Sequence, residues 1–218
     1  GGELGVPDED ALGPDHLATV RKHETELAAR SLGVARVEFL GYRDSGLAGE
    51  PANTEPGSLW LASVDEVAAG LAEVLRTEQA AALVVYDEFG IYGHPDHVQV
   101  HRAGCMAASL VGVSTIYEAT VDREYLHFVE THLVEEAILA GDLGLVRSHI
   151  GVPSVMVTTT VDVRDVLERK RAAMAAHASQ IPETTSALQL GLEQFAAVYG
   201  WEWFVRRGPA GAIDDVVG

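Results

Sequence analysis

Blocks of helical and strand-like periodicity alternate along the chain. Apolar residues recur at helical spacing in five stretches, and signals for a helix start or end flank several of them. In the first stretch, for example, Pro14 and Asp15 mark the start and Gly33 marks the end. We therefore predict helices over residues 13–33, 63–79, 95–110, 122–141 and 163–180.

Short runs rich in apolar or β-branched residues lie between these helices and predict strands. They cover residues 36–41, 81–86, 114–121, 154–163 and 201–207. The run "AALVVY" is apolar throughout, which is typical of a parallel strand that is covered on both faces. This alternation predicts an α/β fold with a mostly parallel sheet and helices on both faces. Because no repeat or linker interrupts the pattern, we predict a single domain over residues 1–218.

Composition narrows the classes of function. The formal net charge is −18, so the chain lacks the basic surface that binding to nucleic acid or to an anionic membrane requires. No apolar run reaches the roughly 18 residues that would span a bilayer. The single cysteine, Cys105, excludes an internal disulfide and favours a reducing, cytoplasmic location. Its apolar helical neighbours predict a packing role for this thiol.

Two loops concentrate polar side chains directly after predicted strands. The loop "GYRDSGL" follows the strand at 36–41, and "YDEFGIYGHPDH" follows the strand at 81–86. In open α/β sheets, ligands bind beyond the carboxyl ends of the strands. We therefore predict that the two loops are neighbours in one cleft.

The second loop carries two histidines at the predicted start of a helix. Pro95 suits the first helical turn, which leaves His94 just before the helix and His97 within it. The positive end of the helix dipole favours a neutral imidazole at His97, and a neutral imidazole is a competent metal ligand. The alternatives are that both histidines are surface residues of a capping sequence, or that His101 joins them in a three-histidine metal site.

Together the two loops resemble the zinc-dependent deacetylases of the LmbE/PIG-L family, which include the mycothiol-biosynthesis deacetylases. The strongest similarity lies in "GYRDSGL" and "YDEFGIYGHPDHVQVHRA", and "RKHETELAARSLGV" and "VTTTVDV" extend it over most of the chain. The resemblance implies a Rossmann-like fold and zinc-dependent hydrolysis of the N-acetyl group of a GlcNAc-containing small-molecule conjugate. Fe2+ is the alternative metal for such a His/carboxylate site.

The resemblance also implies roles for residues of the second loop. His97 is expected to be a zinc ligand. His94 is expected to stabilise the tetrahedral oxyanion and to protonate the leaving amine, with Asp96 orienting its ring. Tyr92 is expected to lie beside the reacting carbonyl group.

Two residues outside that loop match family positions that hold sugar hydroxyls. They are Arg21, in the first predicted helix, and Asp44, in "RDSG". Each has a simpler alternative reading. Arg21 would then be a solvated helix residue, and Asp44 would only form a turn.

The resemblance fails at the N-terminus. The family's His-Pro-Asp-Asp motif supplies two further zinc ligands and the general base, and the sequence has no counterpart of it. The chain begins with Gly-Glu-x-Gly, which the family carries at the end of its second strand. We therefore expect the sequence to be N-terminally incomplete, with the first strand–helix unit missing.

Two other kinds of function remain open at this point. A protein that truly lacks the upstream motif would be a sugar-binding pseudoenzyme without hydrolytic activity. A protein that uses His94, His97 and His101 together would bind a metal without the deacetylase ligand set. In each case the expected partner is a small molecule or an ion and not a nucleic acid or a membrane. The sequence leaves open whether the chain forms a homo-oligomer.

Overall fold

The structure, a computed structural model, describes residues 14–132, 150–181 and 185–216. These residues form helices and one mixed sheet. The helices are α1 (Pro14–Leu32), α2 (Val64–Thr77), α3 (Gly90–Gly93), α4 (Pro95–Val111), α5 (Arg123–His132), α6 (Leu167–Ala176), α7 (Ser186–Gln189) and α8 (Leu192–Tyr199). The strands are β1 (Leu83–Tyr86), β2 (Ile116–Thr120), β3 (Thr159–Asp162) and β4 (Trp201–Arg207).

The predicted long helices are present, and glycines end two of them. Gly33 follows α1 with a φ of 79°, and Gly112 follows α4 with a φ of 81°. Glycine adopts this left-handed conformation at no steric cost, which makes it the usual stop residue of a helix. The fourth predicted helix, 122–141, is confirmed as far as α5 is described, and residues 133–141 lie outside the described residues.

The four strands form a mixed sheet in the order β1-β2-β4-β3. β1 pairs with β2 in parallel, whereas β4 is antiparallel to both β2 and β3. The α/β class is therefore confirmed, but the prediction of a mostly parallel sheet is wrong for the described strands. Periodicity within a strand reports which residues are buried and does not encode the direction of the neighbouring strand.

The predicted strand at 36–41 does not form. Its backbone belongs to no strand in the described ranges, and the nearest pairing is an isolated parallel bridge between Arg43 and Ser58. A strand needs a hydrogen-bonded neighbour, and apolar sequence alone does not supply one. β1 also differs from its prediction, because it lies at an edge of the sheet and Val84 is 49% exposed rather than covered.

The core that positions the functional loops lies between α2 and α4. It consists of small and branched side chains that are almost fully buried, namely Val67, Ala68, Ala72, Leu75, Ala103 and Ala107. α4 packs in turn on β1, where a Cβ atom at Gly104 would lie 2.5 Å from Cγ1 of Val85. This close approach holds the start of α4 beyond the carboxyl end of β1.

The described residues divide into two compact units. One contains the sheet, α2 to α5 and both polar loops, and it covers residues 39–162 and 201–216 as far as they are described. The other covers residues 14–38 and 163–200 as far as they are described, and in it α1 packs against α6. There, the buried carboxylate of Glu24 accepts hydrogen bonds from the backbone N–H and the hydroxyl of Ser179. No helix in the described ranges is both long and apolar enough to cross a bilayer.

Candidate active site

The loop after β1 is folded around the carboxylate of Asp87. Asp87 is 1% exposed, and its Oδ1 accepts hydrogen bonds from the backbone N–H groups of Phe89 at 3.0 Å and Ile91 at 2.8 Å. Its Oδ2 accepts a hydrogen bond of 2.5 Å from the hydroxyl of Thr120 on β2. A buried carboxylate is stable only when such donors satisfy it. Asp87 therefore fixes the loop to the sheet.

Ile91 has a strained backbone at the tip of this loop. Its φ of 62° and ψ of −58° are rare for a β-branched residue. The Ile91 carbonyl accepts a hydrogen bond of 2.7 Å from the N–H of Gly151. Only glycine fits at position 151, because a Cβ atom there would lie 2.0 Å from the carbonyl oxygen of Val121. Strain of this kind persists where the surroundings enforce it, and such positions cluster at functional sites. The next residue is Tyr92.

His94 is the N-cap of α4 and uses its ring to cap the helix. Its φ of −64° and ψ of 127° are extended, and Pro95 begins the helix directly after it. The Nδ1 atom of His94 accepts a hydrogen bond of 3.2 Å from the backbone N–H of Asp96. Because Nδ1 is an acceptor here, the neutral ring carries its proton on Nε2.

His97 has the opposite tautomer. Its Nδ1 lies 3.2 Å from the carbonyl oxygen of Gly90, which only accepts, so Nδ1 carries the proton and Nε2 presents a lone pair. The ring stacks on Tyr86, with centroids 3.8 Å apart and planes at 12°. Burial, and then the nearby His94, lower the pKa of His97 below its ordinary value. The ring is therefore neutral and suited to bind a metal through Nε2.

The two polar loops meet at Asp96, which confirms that they are neighbours. The Oδ2 atom of Asp96 accepts a hydrogen bond of 3.0 Å from the backbone N–H of Ser45. Ligand atoms of Asp44, His94 and Asp96 all lie within 4.8 Å of one another. The second carboxylate oxygen of Asp96, Oδ1, is buried and has no hydrogen-bond partner among the described residues. A buried carboxylate oxygen in that position suits a bound cation, a water molecule or a polar ligand.

Tyr92 lies edge-on to both histidine rings. Its ring centroid is 5.9 Å from that of His94 and 5.3 Å from that of His97. Burial, and then the proximity of Tyr86 and Asp44, raise the pKa of Tyr92 above its ordinary value. The phenol therefore stays protonated at neutral pH and is available as a hydrogen-bond donor.

The two remaining sequence candidates are Arg21 and His101. Arg21 lies on α1 in the other compact unit, and its sugar-binding role stays a prediction. His101 lies one turn after His97, but its Nδ1 points to the carbonyl oxygen of Tyr86 at 3.0 Å, and its neighbours are Cys105 and Glu118. Within the described ranges the three histidines 94, 97 and 101 do not form one ligand group.

Sequence reasoning gave no role to two residues that build the site. Asp87 organises the loop, and the backbone N–H of Ser45 joins the two loops. Asp87 carried a usable signal, because an acidic residue directly after an apolar strand and before a Gly-containing loop is a typical turn-former. The contact of Ser45 could not have been found from the sequence, because every residue other than proline has the same backbone N–H group.

Comparisons with known proteins point to one family. A model of the PIG-L family, described as GlcNAc-PI de-N-acetylase, matches residues 1–108. A 1D-myo-inositol 2-acetamido-2-deoxy-alpha-D-glucopyranoside deacetylase of Acidothermus cellulolyticus is 36% identical, over 96% of this chain and 76% of its own length. Proteins with the same name from Salinispora arenicola and Geodermatophilus obscurus are 32% and 35% identical, over 99% and 98% of this chain and 77% and 81% of their own lengths.

Proposed function

The chain belongs to the PIG-L family of de-N-acetylases, and from that premise we propose that it hydrolyses the N-acetyl group of a GlcNAc-containing small-molecule conjugate. The relatives named above carry the name of a deacetylase of an inositol-linked N-acetylglucosaminide, which makes that glycoside the first substrate to test. The observation that supports the proposal most directly is the pair of opposite tautomers at His94 and His97. One ring offers a lone pair and the other offers a proton.

A divalent metal fits the residues that this loop provides. His97 would hold it through Nε2, because Nδ1 is already used by the carbonyl of Gly90. Imidazole nitrogen with carboxylate oxygen suits Zn2+, with Fe2+ as the alternative. The group of three ligand side chains that lies at this loop, Asp44, His94 and Asp96, contains His94 and not His97. The buried, unpartnered Oδ1 of Asp96 is consistent with a cation or its water nearby. When bound, such a metal polarises the acetyl carbonyl and activates the attacking water.

His94 would act on the oxygen and nitrogen of the amide. Its Nε2–H can donate to the oxyanion of the tetrahedral intermediate, where one well-placed donor contributes about 3–4 kcal/mol. Transfer of a proton to the leaving amine as the C–N bond breaks requires the imidazolium form of His94, which returns to the neutral ring when Nε2 gives up its proton. The backbone N–H of Asp96 fixes the neutral ring for the first of these steps because it binds Nδ1. In this geometry Asp96 orients His94 through its main chain, while its carboxylate binds Ser45.

Tyr92 would complete the donors around the carbonyl group. Its phenol stays protonated because burial raises its pKa, and its ring contacts both histidines. The strained turn at Ile91 sets the direction in which Tyr92 leaves the backbone. A second donor at the oxyanion would lower the barrier further without a change of charge on the protein.

The sugar would be bound by groups outside the second loop. Asp44 is exposed, its Oδ1 accepts the N–H of Gly46, and its carboxylate lies near His94. A carboxylate in this position can accept hydrogen bonds from sugar hydroxyls. The matching role of Arg21 rests on the family resemblance alone. We infer in addition a Rossmann-like arrangement and a cytoplasmic location, which the strand–helix alternation and the single cysteine favour.

The test is acetate release by the natural protein with 1D-myo-inositol 2-acetamido-2-deoxy-alpha-D-glucopyranoside as substrate. We expect metal-dependent turnover, and a fall in kcat of about 10²–10³-fold in His94→Ala. The matched control is His23→Ala, because His23 is an exposed histidine of α1. Full activity in His94→Ala would refute the role of His94. Binding of the glycoside without acetate release would identify a sugar-binding pseudoenzyme instead.

A further inference from the structure

A second group of metal-ligand side chains lies on the same helix as the candidate active site, one turn further along. His101 and Cys105 are four residues apart on α4, so they share one face of the helix. Sγ of Cys105 lies 4.0 Å from Nε2 of His101. Glu118 reaches the pair from β2, and ligand atoms of the three residues all lie within 4.8 Å of one another. None of the three contributes to the deacetylation proposed above.

The oxygen contacts of His101 involve Nδ1, so Nε2 meets the thiol of Cys105. Nδ1 lies 3.0 Å from the carbonyl oxygen of Tyr86 and 3.5 Å from Oε1 of Glu118. Both of these atoms are acceptors, so Nδ1 carries the proton and Nε2 presents its lone pair towards Cys105. A carbonyl that fixes the tautomer in this way is the usual support of a histidine metal ligand.

The distance between Sγ of Cys105 and Nε2 of His101 is close to that between two ligand atoms of one small ion. With Zn–S near 2.3 Å and Zn–N near 2.0–2.1 Å, tetrahedral sulfur and nitrogen ligands lie about 3.6 Å apart. The observed 4.0 Å would close to this distance with a shift of a few tenths of an ångström. Burial restricts the Glu118 carboxylate to a position beside the pair, since its side chain is only 3% exposed. Two side chains of adjacent turns and one buried carboxylate thus converge on one point.

The charges balance when an ion is present. A thiolate at Cys105 and the carboxylate of Glu118 together neutralise a divalent cation. Without an ion, Arg207 supplies the positive charge by donating from Nε to Oε1 of Glu118. Because a carboxylate has two oxygens and the Arg207 side chain is half exposed, Glu118 can serve the ion without losing all contact with Arg207.

We propose that His101, Cys105 and Glu118 form a second divalent-cation site, distinct from the one at His97, with a preference for thiolate-binding ions such as Zn2+, Co2+ or Cd2+. On binding, the S–H bond of Cys105 breaks, its proton leaves to solvent, and the sulfur electron pair forms the bond to the metal. The chemical class of the ligand follows from the soft sulfur donor, which hard cations such as Mg2+ and Ca2+ avoid.

Tyr86 links the two sites physically. Its ring stacks on His97, and its carbonyl oxygen accepts a hydrogen bond from Nδ1 of His101. Each site therefore has a histidine whose position depends on the same residue at the end of β1. Occupation of the second site would hold α4 against β1 and β2, just behind the residues that carry the chemistry.

The test uses the single cysteine as a reporter. The natural protein, stripped of metal with a chelator, is titrated with Co2+ and followed in the near ultraviolet, where a cobalt–thiolate bond absorbs and bonds to nitrogen or oxygen do not. Cys105 is the single cysteine of the sequence given, and a band that disappears in Cys105→Ser reports on this site. We expect a band that saturates at one equivalent in the natural protein and in His97→Ala, with release of one proton from the thiol.

Four variants separate the outcomes. Cys105→Ser should abolish the band, and His101→Ala should weaken Co2+ binding to the thiolate by at least about tenfold. Arg207→Gln, which keeps all three ligands, should retain the band, and so should the exposed control His23→Ala. Absence of the band in the natural protein, or an unchanged affinity in His101→Ala, would overturn the proposal. Neither result would touch the acetate-release test, which does not involve these residues.

Discussion

The imidazole rings of His94 and His97 face each other 4.8 Å apart, at an interplanar angle of 27°, with their protons on opposite nitrogens. Nδ1 of His94 accepts from the backbone N–H of Asp96, whereas Nδ1 of His97 donates to the carbonyl of Gly90. Two backbone groups at the start of one helix thus set two different chemical roles. Two neighbouring rings thus offer a lone pair, on His97, and a proton, on His94.

This division of roles follows from helix capping. The first N–H groups of a helix have no intrahelical partner, and the ring of His94 satisfies one of them. His97 lies within the first turn, where its ring instead reaches back to the loop that precedes the helix. In the sequence "HPDH", Pro95 therefore determines where the helix begins, and with it which histidine caps the helix and which lies in its first turn.

Asp87 should be the residue on which the loop conformation depends most. Replacing it by alanine leaves the N–H groups of Phe89 and Ile91 without their acceptor, so Asp87→Ala should lower the free energy of unfolding by about 3 kcal/mol. The neighbouring Glu88→Ala, at an exposed position, should change it by less than about 0.5 kcal/mol. Urea unfolding of both variants checks this, and equal stabilities would show that the carboxylate does not organise the loop.

A pair of glycine substitutions should have effects of opposite sign. Gly104→Ala places a Cβ atom 2.5 Å from Cγ1 of Val85 and should cost about 1–3 kcal/mol, because α4 and β1 must separate. Gly70→Ala, in α2, meets only Cδ2 of Leu40 at 4.0 Å and should gain up to about 1 kcal/mol of helix propensity. Denaturation midpoints measure both changes, and a stabilised Gly104→Ala protein would contradict the close packing of α4 on β1.

The metal-free protein should lose stability in mild acid because of His97. Burial lowers the pKa of this ring in the folded state below the ordinary 6.5, so the unfolded state binds a proton more readily. Its contribution to stability is therefore fully present above pH 6.5 and is lost as the pH falls through and below that value. His97→Gln should show a shallower fall in the free energy of unfolding between about pH 7 and pH 5. Parallel curves for the two proteins would show that His97 titrates normally, and His23→Gln provides the exposed control.

Helix boundaries and the meeting of the two loops could be predicted from the sequence. Pro14, Gly33 and Pro95 act through backbone geometry that a local sequence determines, and α1 and α4 begin or end where these residues indicate. The neighbouring position of the loops was predicted from two strand ends. The hydrogen bond between Ser45 and Asp96 confirms the position, although only one of the two strands, β1, forms in the described chain. Local rules were therefore sufficient for the helix boundaries, whereas the topological premise held for one loop only.

The errors concern interactions between distant segments. The apolar run at 36–41 has the composition of a strand but no paired neighbour in the described chain, and β4 runs antiparallel for reasons that its own residues do not contain. The packing role predicted for Cys105 stays a prediction, and the contact between its sulfur and the ring of His101 was not predicted. The spacing of four residues along α4 brings His101 and Cys105 together, but it could not reveal that Glu118 reaches them from β2.

Metal content tests the central claim, that His97 binds the catalytic metal and His94 does not. The measurement uses the natural protein with Cys105→Ser, so that no thiolate holds a second ion, dialysed against Zn2+ and analysed for bound metal. We predict that this protein and its His94→Ala derivative retain one equivalent, and that His97→Ala loses it, with an affinity lower by at least about tenfold. Stoichiometric zinc of unchanged affinity in His97→Ala would contradict the account.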